Sequence, residues 1–314
     1  MLDYIHIYVN NHDAYKLKRH PLLVDKFKII VFENTSEIAG NTSLAVYENL
    51  KIKIKGDKYI DVSGSFHKYA QKGKSSKDFS FNDMCDTIIG FCSTFGIEPS
   101  NCVIRCMEIG VNLKEFKPSI LESFVLHKTK RPDIDSFNGT GNMIEFPHQE
   151  YSYRIYDKAL KEDIIWEDIL RFEVKIFRMR QLKKIGVTTM NDLLIYEKWI
   201  QLKKFLIAPL KEMIITEDLD IKIMDDDTAK FYIKGKNSNY WIGLVEADPE
   251  VFKYKRKKYR SLIQAYGNNF QRKLIEIVSN KYDFLLPPKK VKKIPQIILP
   301  RFRCHILHHP PDCI

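Results

Sequence analysis

The most constraining feature of this sequence is a pair of short segments, residues 153–158 and 170–176, in which polar and apolar side chains alternate. A period of two is the period of a β-strand, because successive side chains of a strand point to opposite faces of a sheet. The polar residues expected on one shared face are Arg154, Tyr156, Lys158, Arg171, Glu173 and Lys175. The opposite face is mostly apolar and predicts a buried core. Two neighbouring strands of this kind place a phenol, a carboxylate and several cations side by side.

Side chains of these types can attack a phosphodiester. A phenol oxygen supplies a nucleophile, a carboxylate binds a divalent metal, and cations offset the charge of the phosphate. We therefore take Tyr156 as the candidate nucleophile, with Arg154 and Lys158 as catalytic cations that favour the phenolate and hold the phosphate. The chain contains 16 tyrosines, so an ordinary sheet-surface tyrosine is the alternative interpretation.

Two glutamates are candidate ligands for a divalent metal, Glu173 in the second segment and Glu108 in the alternating segment 103–113. In that third segment the alternation places Arg105 and Met107 on the face opposite Glu108. Mg²⁺ and Mn²⁺ prefer carboxylate oxygens and leave positions open for the phosphate of a substrate. A salt bridge to a neighbouring arginine or lysine explains each glutamate equally well.

The remaining chain mixes strands and helices without strict alternation, which predicts an α+β fold with a central, mostly antiparallel sheet and flanking helices. A helix capped by Ser80 or Asn82 is expected to end at Gly96, and another helix is expected over 118–128. We expect the candidate site to belong to a catalytic domain over residues 1–215. Residues 216–314 are then a basic, helical C-terminal region with a DNA-binding or accessory role.

The positive charge of the chain is concentrated near its end. Residues 251–314 contain 15 Lys or Arg against 3 acidic residues, a net charge of +12, whereas the preceding 250 residues sum to −1. A basic segment on a near-neutral body indicates a surface for a polyanion, and a solvated basic tail is the alternative. The candidate DNA-binding residues are Lys68, Gln71, Lys72, Lys74, Arg171, Lys175, Lys255, Arg256, Lys257 and Lys258.

Other short motifs give weaker evidence of function. The segment 73–76 resembles the end of a phosphate-binding P-loop, but Lys68 stands where that motif needs a glycine, so nucleotide binding is not expected. The aspartates 225–227 are compatible with a metal site or, more simply, a solvated turn. A zinc site or an irregular tail would each account for a C-terminal cluster of Cys304, His305, His308, His309 and Cys313. No C-x-x-C pair, signal peptide or membrane-length apolar run is found, so we expect a cytoplasmic protein with free thiols.

Several segments together resemble the single-tyrosine rolling-circle replication initiators of the filamentous-phage gene II protein type. The segment 61–71 resembles the family's strand and small-residue turn before K-x-x-Q, and residues 156–158 resemble its Y-x-K. The most specific match is the strand 170–175, of the form R-F-E-[VA]-[KR], which leads into L-x-x-x-G at 182–186. Residues 154–158 are also similar to the R-I-Y-[ND]-K of staphylococcal-type plasmid initiators.

The chain departs from the family pattern at two places. The stretch 72–75 stands where the phage proteins have Gly-His-Asn, so a histidine is missing. His67 and His148 are the candidate substitutes, although neither matches it by position. Glu108 stands where an aspartate is usual. Both departures concern the metal site and not the tyrosine.

The resemblance implies a replication initiation protein of a phage, plasmid or mobile element. Tyr156 is then expected to cut one strand at an origin, presented single-stranded or as a hairpin loop, and to form a 5′-phosphotyrosyl intermediate that is later religated. Glu173 and Glu108 are expected to bind Mg²⁺ or Mn²⁺, and a host polymerase and helicase are expected partners.

Three alternatives use the same residues differently. A relaxase or transposase shares the chemistry and differs in its substrate, whereas a regulator derived from an initiator binds DNA without cleaving it. An RNA-binding protein is disfavoured, because no aromatic stacking motif of the usual type is present. The sequence assigns no oligomeric state.

Overall fold

The computed structural model describes residues 1–31, 38–56, 58–137 and 140–287. Its strands are β1 (Leu2–Val9), β2 (Lys28–Val31), β3 (Ile38–Tyr47), β4 (Leu50–Lys55), β5 (Tyr59–Ser65), β6 (Cys102–Leu113), β7 (Phe124–His127), β8 (Asp133–Phe137), β9 (Thr140–Pro147), β10 (Tyr151–Asp157), β11 (Leu170–Ile176) and β12 (Met213–Ile215). Ten of these described strands form one antiparallel sheet in the order β2-β3-β4-β5-β1-β6-β11-β10-β9-β8, and β7 pairs with β12.

The helices flank this sheet. They are α1 (Ala14–Lys18), α2 (Phe66–Ala70), α3 (Phe81–Phe95), α4 (Lys158–Lys161), α5 (Arg180–Lys184), α6 (Met190–Leu193), α7 (Tyr196–Glu212), α8 (Asp226–Gly235), α9 (Ser238–Ala247), α10 (Pro249–Tyr266) and α11 (Phe270–Leu285). The predicted α+β class with a large antiparallel sheet is therefore confirmed. None of the described helices has the length and apolarity that crossing a bilayer requires.

The two segments of strict alternation are adjacent central strands. In the pairing of β10 with β11, Arg154 lies opposite Glu173 and Tyr156 lies opposite Arg171. The alternate residues of both strands point into the main core, where Tyr153 donates a hydrogen bond to the Leu206 carbonyl of α7 at 3.1 Å. The apolar face of these strands therefore packs against helices such as α7, and the polar side chains lie on the opposite face.

The alternation of the third strand is interrupted, contrary to the sequence pattern. The register of β6 against β1 shifts between the pairs His6–Cys106 and Ile7–Ile104, so that Arg105 is an extra residue in the strand. Ile104 is consequently buried in the core, and Arg105 is exposed over the ring of Tyr8. Glu108 keeps its expected face, because it lies opposite Lys175 in the unbroken register of β6 with β11.

The first predicted helix is confirmed and the second is wrong. Ser80 caps α3 in a reciprocal capping box with Asp83, and Gly96 ends the helix with φ of 65°. Residues 118–128 instead form a 3₁₀ turn, Pro118–Ser123, followed by β7, whose four residues are buried and pair with β12. A short apolar run fits a buried strand as well as a helix, so its period does not distinguish the two.

The C-terminal helices pack in two places. Helices α8, α9 and α10 form a second apolar cluster with residues of β7 and β12, whereas α11 returns to the main core through Leu274, Val278 and Tyr282. Asp225 accepts a hydrogen bond from the Thr228 amide and caps α8, which gives this aspartate a structural role. The division after residue 215 stays a prediction, and the Cys304 to Cys313 cluster lies outside the described residues.

Candidate active site on the polar face of the sheet

The predicted polar side chains meet on the central strands β6, β11 and β10. Lys175 lies opposite Glu108 across the β6–β11 pair, beside the two pairs of the β10–β11 ladder. The side chains of Arg154 and Lys175 are partly exposed, Glu108 lies buried at their edge, and Tyr156 and Arg171 are buried. The site thus has an open part and a covered part.

Tyr156 lies in the covered part, with 2% of its surface exposed. Its hydroxyl donates a long hydrogen bond of 3.4 Å to Oε2 of Glu173, and Nζ of Lys161 lies 4.5 Å from its ring centroid. Burial, followed by the charge of Glu173, raises the pKa of the phenol well above its ordinary value. In this conformation the phenol is protonated and buried, and Lys161 of α4 lies over one face of its ring.

Arg171 is the centre of the covered part. Its guanidinium contacts Glu173 Oε2 at 2.7 Å, Asn112 Oδ1 at 2.8 Å and Asp3 Oδ2 at 3.3 Å. Gly110 makes room for it, because a Cβ there would lie 3.1 Å from Nη2 of Arg171 and 2.6 Å from the Phe172 carbonyl. This predicted DNA-binding residue is therefore a buried ion-pair partner in this conformation.

Two groups from distant parts of the chain complete the covered part. Asp3 of β1 accepts a hydrogen bond from the Ser65 hydroxyl. Burial acts to raise the pKa of the Asp3 carboxyl, but the charges of Arg171 and Lys158 hold that pKa well below its usual range. His67 stacks on Phe79 with ring centroids 4.8 Å apart, and burial, then Arg171, lowers its pKa to about 3. Neither ring nitrogen of His67 has a hydrogen-bond partner among the described residues.

Where the covered part meets the open part, two carboxylates, Glu108 and the buried Glu173, have partly exposed cations beside them. Glu108 contacts Lys175 Nζ at 2.9 Å, and Nη1 of Arg154 lies 3.5 Å from Glu108 and 3.7 Å from Glu173. Arg154 is further bound through Nε to Glu145 at 3.1 Å. Burial, together with the charge of Glu173, raises the pKa of Glu108 to about 7. Arg154 therefore acts as a built-in cation for both predicted ligands.

The fit of a divalent metal can be judged from this donor set. No group of three or more His, Cys, Asp or Glu side chains that could hold a metal lies together in the described part of the chain. Mg²⁺ is often bound through only one or two carboxylates, with water and substrate phosphate as the other ligands. Glu108 and Glu173 fit that two-carboxylate type, with the condition that Arg154 leaves the space between them.

The side chain of Lys158 is directed away from the open part. Its buried ammonium donates to Ser75 Oγ at 2.6 Å and lies 2.9 Å from Glu162 Oε1, and Glu162 also accepts from the amide and hydroxyl of Ser75. Asn112 donates to the carbonyls of Ser75 and Ser76. We call Ser75, Lys158 and Glu162 the Ser75 latch, because they tie the basic loop 71–78 to α4.

The latch gives a prediction of acid-dependent stability. Burial alone would raise the pKa of Glu162, but hydrogen bonds from Lys158 and Ser75 outweigh it and lower the pKa from 4.5 to about 2. The stabilisation is therefore present above pH 4.5 and is lost as the pH falls toward 2. We expect Glu162→Gln to lower the free energy of unfolding by about 1–3 kcal/mol at pH 7, with the difference from wild type shrinking at pH 3.

Urea unfolding at the two pH values measures this difference. Asp163→Asn changes the exposed neighbouring carboxylate and serves as the control, with no loss expected. A deficit of Glu162→Gln that is the same at both pH values would show that the ionised carboxylate does not hold the latch.

The loop candidates for DNA binding differ in exposure. Lys72 and Lys74 are exposed on the loop, and Lys68 is half-buried on α2. Gln71 instead donates a hydrogen bond to the Asp78 carbonyl at 2.9 Å, which closes the base of the loop. The two lysines therefore face solvent where the latch joins the loop to the site.

The helical candidates lie on α10. Lys257 and Lys258 are exposed, and Lys255 and Arg256 are half-buried. Aromatic rings beneath them hold their stems, since Lys255 and Lys258 lie 5.5 and 5.6 Å from the Phe231 centroid, and Arg256 lies 5.3 Å from that of Phe252. These four residues form a basic surface on α10.

Sequence reasoning missed several members of the site, namely Asp3, Asn112, Glu145, Lys161 and Glu162. The only sequence signal was for Lys161 and Glu162, which follow Lys158 at i+3 and i+4 once a helical turn begins there. Asp3 and Asn112 reach Arg171 through strand pairing, which no local pattern reports. His148, considered as a substitute metal ligand, instead hydrogen-bonds to His127 at 2.8 Å.

Comparisons with known proteins give a limited result. No family model and no curated protein matches the chain. Among solved structures, the chain is similar to a rolling circle replication initiator protein from Geobacillus stearothermophilus, with a TM-score of 0.42 and 11% sequence identity, covering 73% of this chain and 89% of that one. The function is left to be argued from the site.

Proposed function

We propose that this protein is a DNA strand-nicking and religating enzyme that uses Tyr156 to start rolling-circle replication of a phage, plasmid or mobile element. The observation that supports it best is the position of one phenol among charged partners on a single sheet face. Tyr156 lies opposite Arg171, hydrogen-bonds to Glu173 and is covered by Lys161. This set offers a nucleophile, a proton acceptor and cations for a phosphate.

The reaction begins when DNA displaces the α4 turn. The scissile phosphate then takes the place beside the phenol that Lys161 now covers, and Lys161 and Arg154 lie near enough to the site to offset its charge. Glu173 accepts the phenol proton as the oxygen attacks phosphorus. The 5′-phosphotyrosyl bond forms, the bond between phosphorus and the 3′ oxygen breaks, and that oxygen takes up a proton from water to leave as a 3′ hydroxyl. The reverse attack by that hydroxyl religates the strand without ATP.

The proposal includes a divalent metal, for which Glu108 and Glu173 are the proposed ligands. When bound, Mg²⁺ or Mn²⁺ would supply charge to polarise the phosphate oxygens. The two carboxylates supply oxygen ligands, and Arg154 becomes available to the phosphate when it leaves them. DNA at an origin is the proposed partner, with a host polymerase and helicase acting after the nick.

Metal dependence has a direct test. We expect EDTA to stop nicking and added Mg²⁺ or Mn²⁺ to restore it, and Glu173→Gln to weaken Mn²⁺ binding at least about tenfold, because the site loses one of two charged ligands. Mn²⁺ binding is measured by electron paramagnetic resonance. Glu246→Gln, which changes an exposed carboxylate on α9, is the control. Equal Mn²⁺ affinity of Glu173→Gln and wild type would remove Glu173 from the metal site.

The central experiment is incubation of the purified protein with supercoiled DNA that carries its own gene neighbourhood, in Mg²⁺ or Mn²⁺. The expected product is a nicked circle with protein covalently attached at a 5′ end. Binding without nicking, on this DNA and on single-stranded oligonucleotides from it, would reject the enzyme.

One observation favours a second candidate, a DNA-binding regulator built on an initiator fold. Tyr156 is buried with a raised pKa, and both proposed ligands are already paired with cations. A regulator needs only the basic surfaces of the loop 71–78 and α10. It predicts DNA affinity that is unchanged by Tyr156→Phe and no covalent adduct. A relaxase or transposase gives the same adduct as the initiator and differs in its DNA.

A further inference from the structure

The loop that joins α4 to β11 carries the most exposed aliphatic and aromatic side chains of the described residues. Ile165 is 93% exposed and Trp166 is 78% exposed. The other two tryptophans, Trp199 and Trp241, are fully buried. An adjacent isoleucine and tryptophan in water leave apolar surface uncovered, and such surface marks an interaction site.

This exposure does not come from a loosely held loop. At its base, the amides of Lys158 and Ala159 donate to the Ile169 carbonyl at 2.7 and 3.3 Å. The Ile164 amide donates to the Ala159 carbonyl at 2.9 Å, and Glu167 pairs with Lys114 at 2.5 Å. The two apolar residues lie between these fixed points, so the fold itself presents them to solvent.

The loop is also tied closely to the proposed site. It starts after Lys161, which covers Tyr156, and ends at β11, which carries Arg171 and Glu173. Through Glu162 it contacts Ser75 of the basic loop 71–78. Exposed lysines lie on the two segments that this loop continues from or contacts: Lys161 on α4, and Lys72, Lys74 and Lys77 on the basic loop.

The charges of the loop itself indicate which part of a nucleic acid it contacts. Asp163 and Asp168 are exposed on either side of the tip and repel phosphate. A tip of this kind contacts bases, whereas the neighbouring lysines contact the backbone. The flat face of a base is accessible in a single strand and is covered by its neighbours in a duplex, so the tip suits single-stranded DNA.

We propose that Trp166, supported by Ile165, stacks on an unpaired base next to the nick site and so holds the single strand over Tyr156. This proposal rests on the proposed function, because the single strand is that of the nicking reaction. Stacking on an aromatic side chain combined with a basic surface is a general means of binding single strands without reading their sequence. Trp166 is then a positioning residue that does not touch the reacting atoms.

The test uses full-length Tyr156→Phe protein, which keeps the site and removes the nucleophile. The probes are a labelled single-stranded oligonucleotide from the protein's own gene neighbourhood and its duplex. Because Trp166 is the one exposed tryptophan of three, quenching of tryptophan fluorescence by acrylamide reports mainly on it, and Trp166→Phe gives the background from the two buried tryptophans. We expect the single strand to change the emission of Trp166 and to shield it from acrylamide, and the duplex to do so far less.

Three substitutions in the same background complete the test. Trp166→Ala is expected to weaken single-strand binding about tenfold, measured by fluorescence anisotropy of the oligonucleotide, and Trp166→Phe to keep most of the affinity. Phe284→Ala, which removes a similarly exposed aromatic ring on α11, is the matched control and should bind normally.

The outcomes separate this proposal from the proposed function. If the wild-type protein nicks DNA while Trp166 stays accessible to acrylamide, the stacking proposal is overturned and the proposed nicking function stands. If the single strand shields Trp166 but the wild-type protein forms no covalent adduct, the stacking proposal is supported and the DNA-binding regulator replaces the nicking enzyme as the function. Absence of single-strand binding, or normal binding by Trp166→Ala, also overturns it and points to a protein partner for the tip.

Discussion

Tyr156→Phe is expected to abolish the covalent protein–DNA adduct and to reduce nicking by more than about a thousandfold, because no other atom at this position can form the phosphotyrosyl bond. The variant should fold normally. Its ring keeps the same packing, and the lost hydroxyl makes only a long hydrogen bond to Glu173. The measurement is the conversion of supercoiled to nicked DNA, with the adduct detected on denaturing gels.

Tyr153→Phe is the matched control for this prediction. Tyr153 is a buried tyrosine of the same strand that points to the opposite face and donates to the Leu206 carbonyl. Its loss should cost about 1 kcal/mol of the free energy of unfolding and leave nicking intact. Adduct formation by Tyr156→Phe at the wild-type rate would assign the nucleophile to another residue.

Arg171→Met is expected to cause the largest loss of stability, about 3–5 kcal/mol in the free energy of unfolding. The substitution removes the cation from between two buried carboxylates, those of Asp3 and Glu173, and leaves the Asn112 carbonyl without its donor. An unpaired buried charge loses its hydration and gains nothing in return. Urea unfolding at pH 7 measures the loss.

The pH dependence of this loss has a definite sign. The low pKa of Asp3 means that its paired carboxylate stabilises the fold above pH 3.8 and that this contribution is lost as the pH falls below it. The difference between wild type and Arg171→Met should therefore narrow in acid. Lys175→Met removes a partly exposed cation that pairs with Glu108 and should cost less than about 1 kcal/mol. Equal losses for the two variants would contradict the central role of Arg171.

The sequence predicts the core of the site because its signal is local. The period of two in β10 and β11 predicts Arg154, Tyr156, Arg171 and Glu173 on one face, and in the structure they lie there as the pairs Arg154–Glu173 and Tyr156–Arg171. The roles of these residues in catalysis remain predictions. What the period does not give is the environment, since a pattern of polar residues is the same for an exposed surface and for a covered one.

The parts that the sequence does not predict depend on contacts between distant segments. Arg105 breaks the alternation of β6 because β1 shifts its register there. Asp3 and Asn112 surround Arg171 only after three strands have paired. The turn of α4 brings Lys161 over Tyr156. Lys158, which is nearer to Tyr156 in sequence, belongs to the Ser75 latch and donates its hydrogen bond to Ser75 instead.

The Ser75 latch has a mechanical consequence. It joins two segments about eighty residues apart in the chain, so the α4 turn and the basic loop are expected to move together. Any movement that uncovers Tyr156 then also shifts Lys72 and Lys74. The energy gained when those lysines bind a DNA backbone can in this way be transmitted to the opening of the site, so that the phenol is released to react only when a strand is already in place.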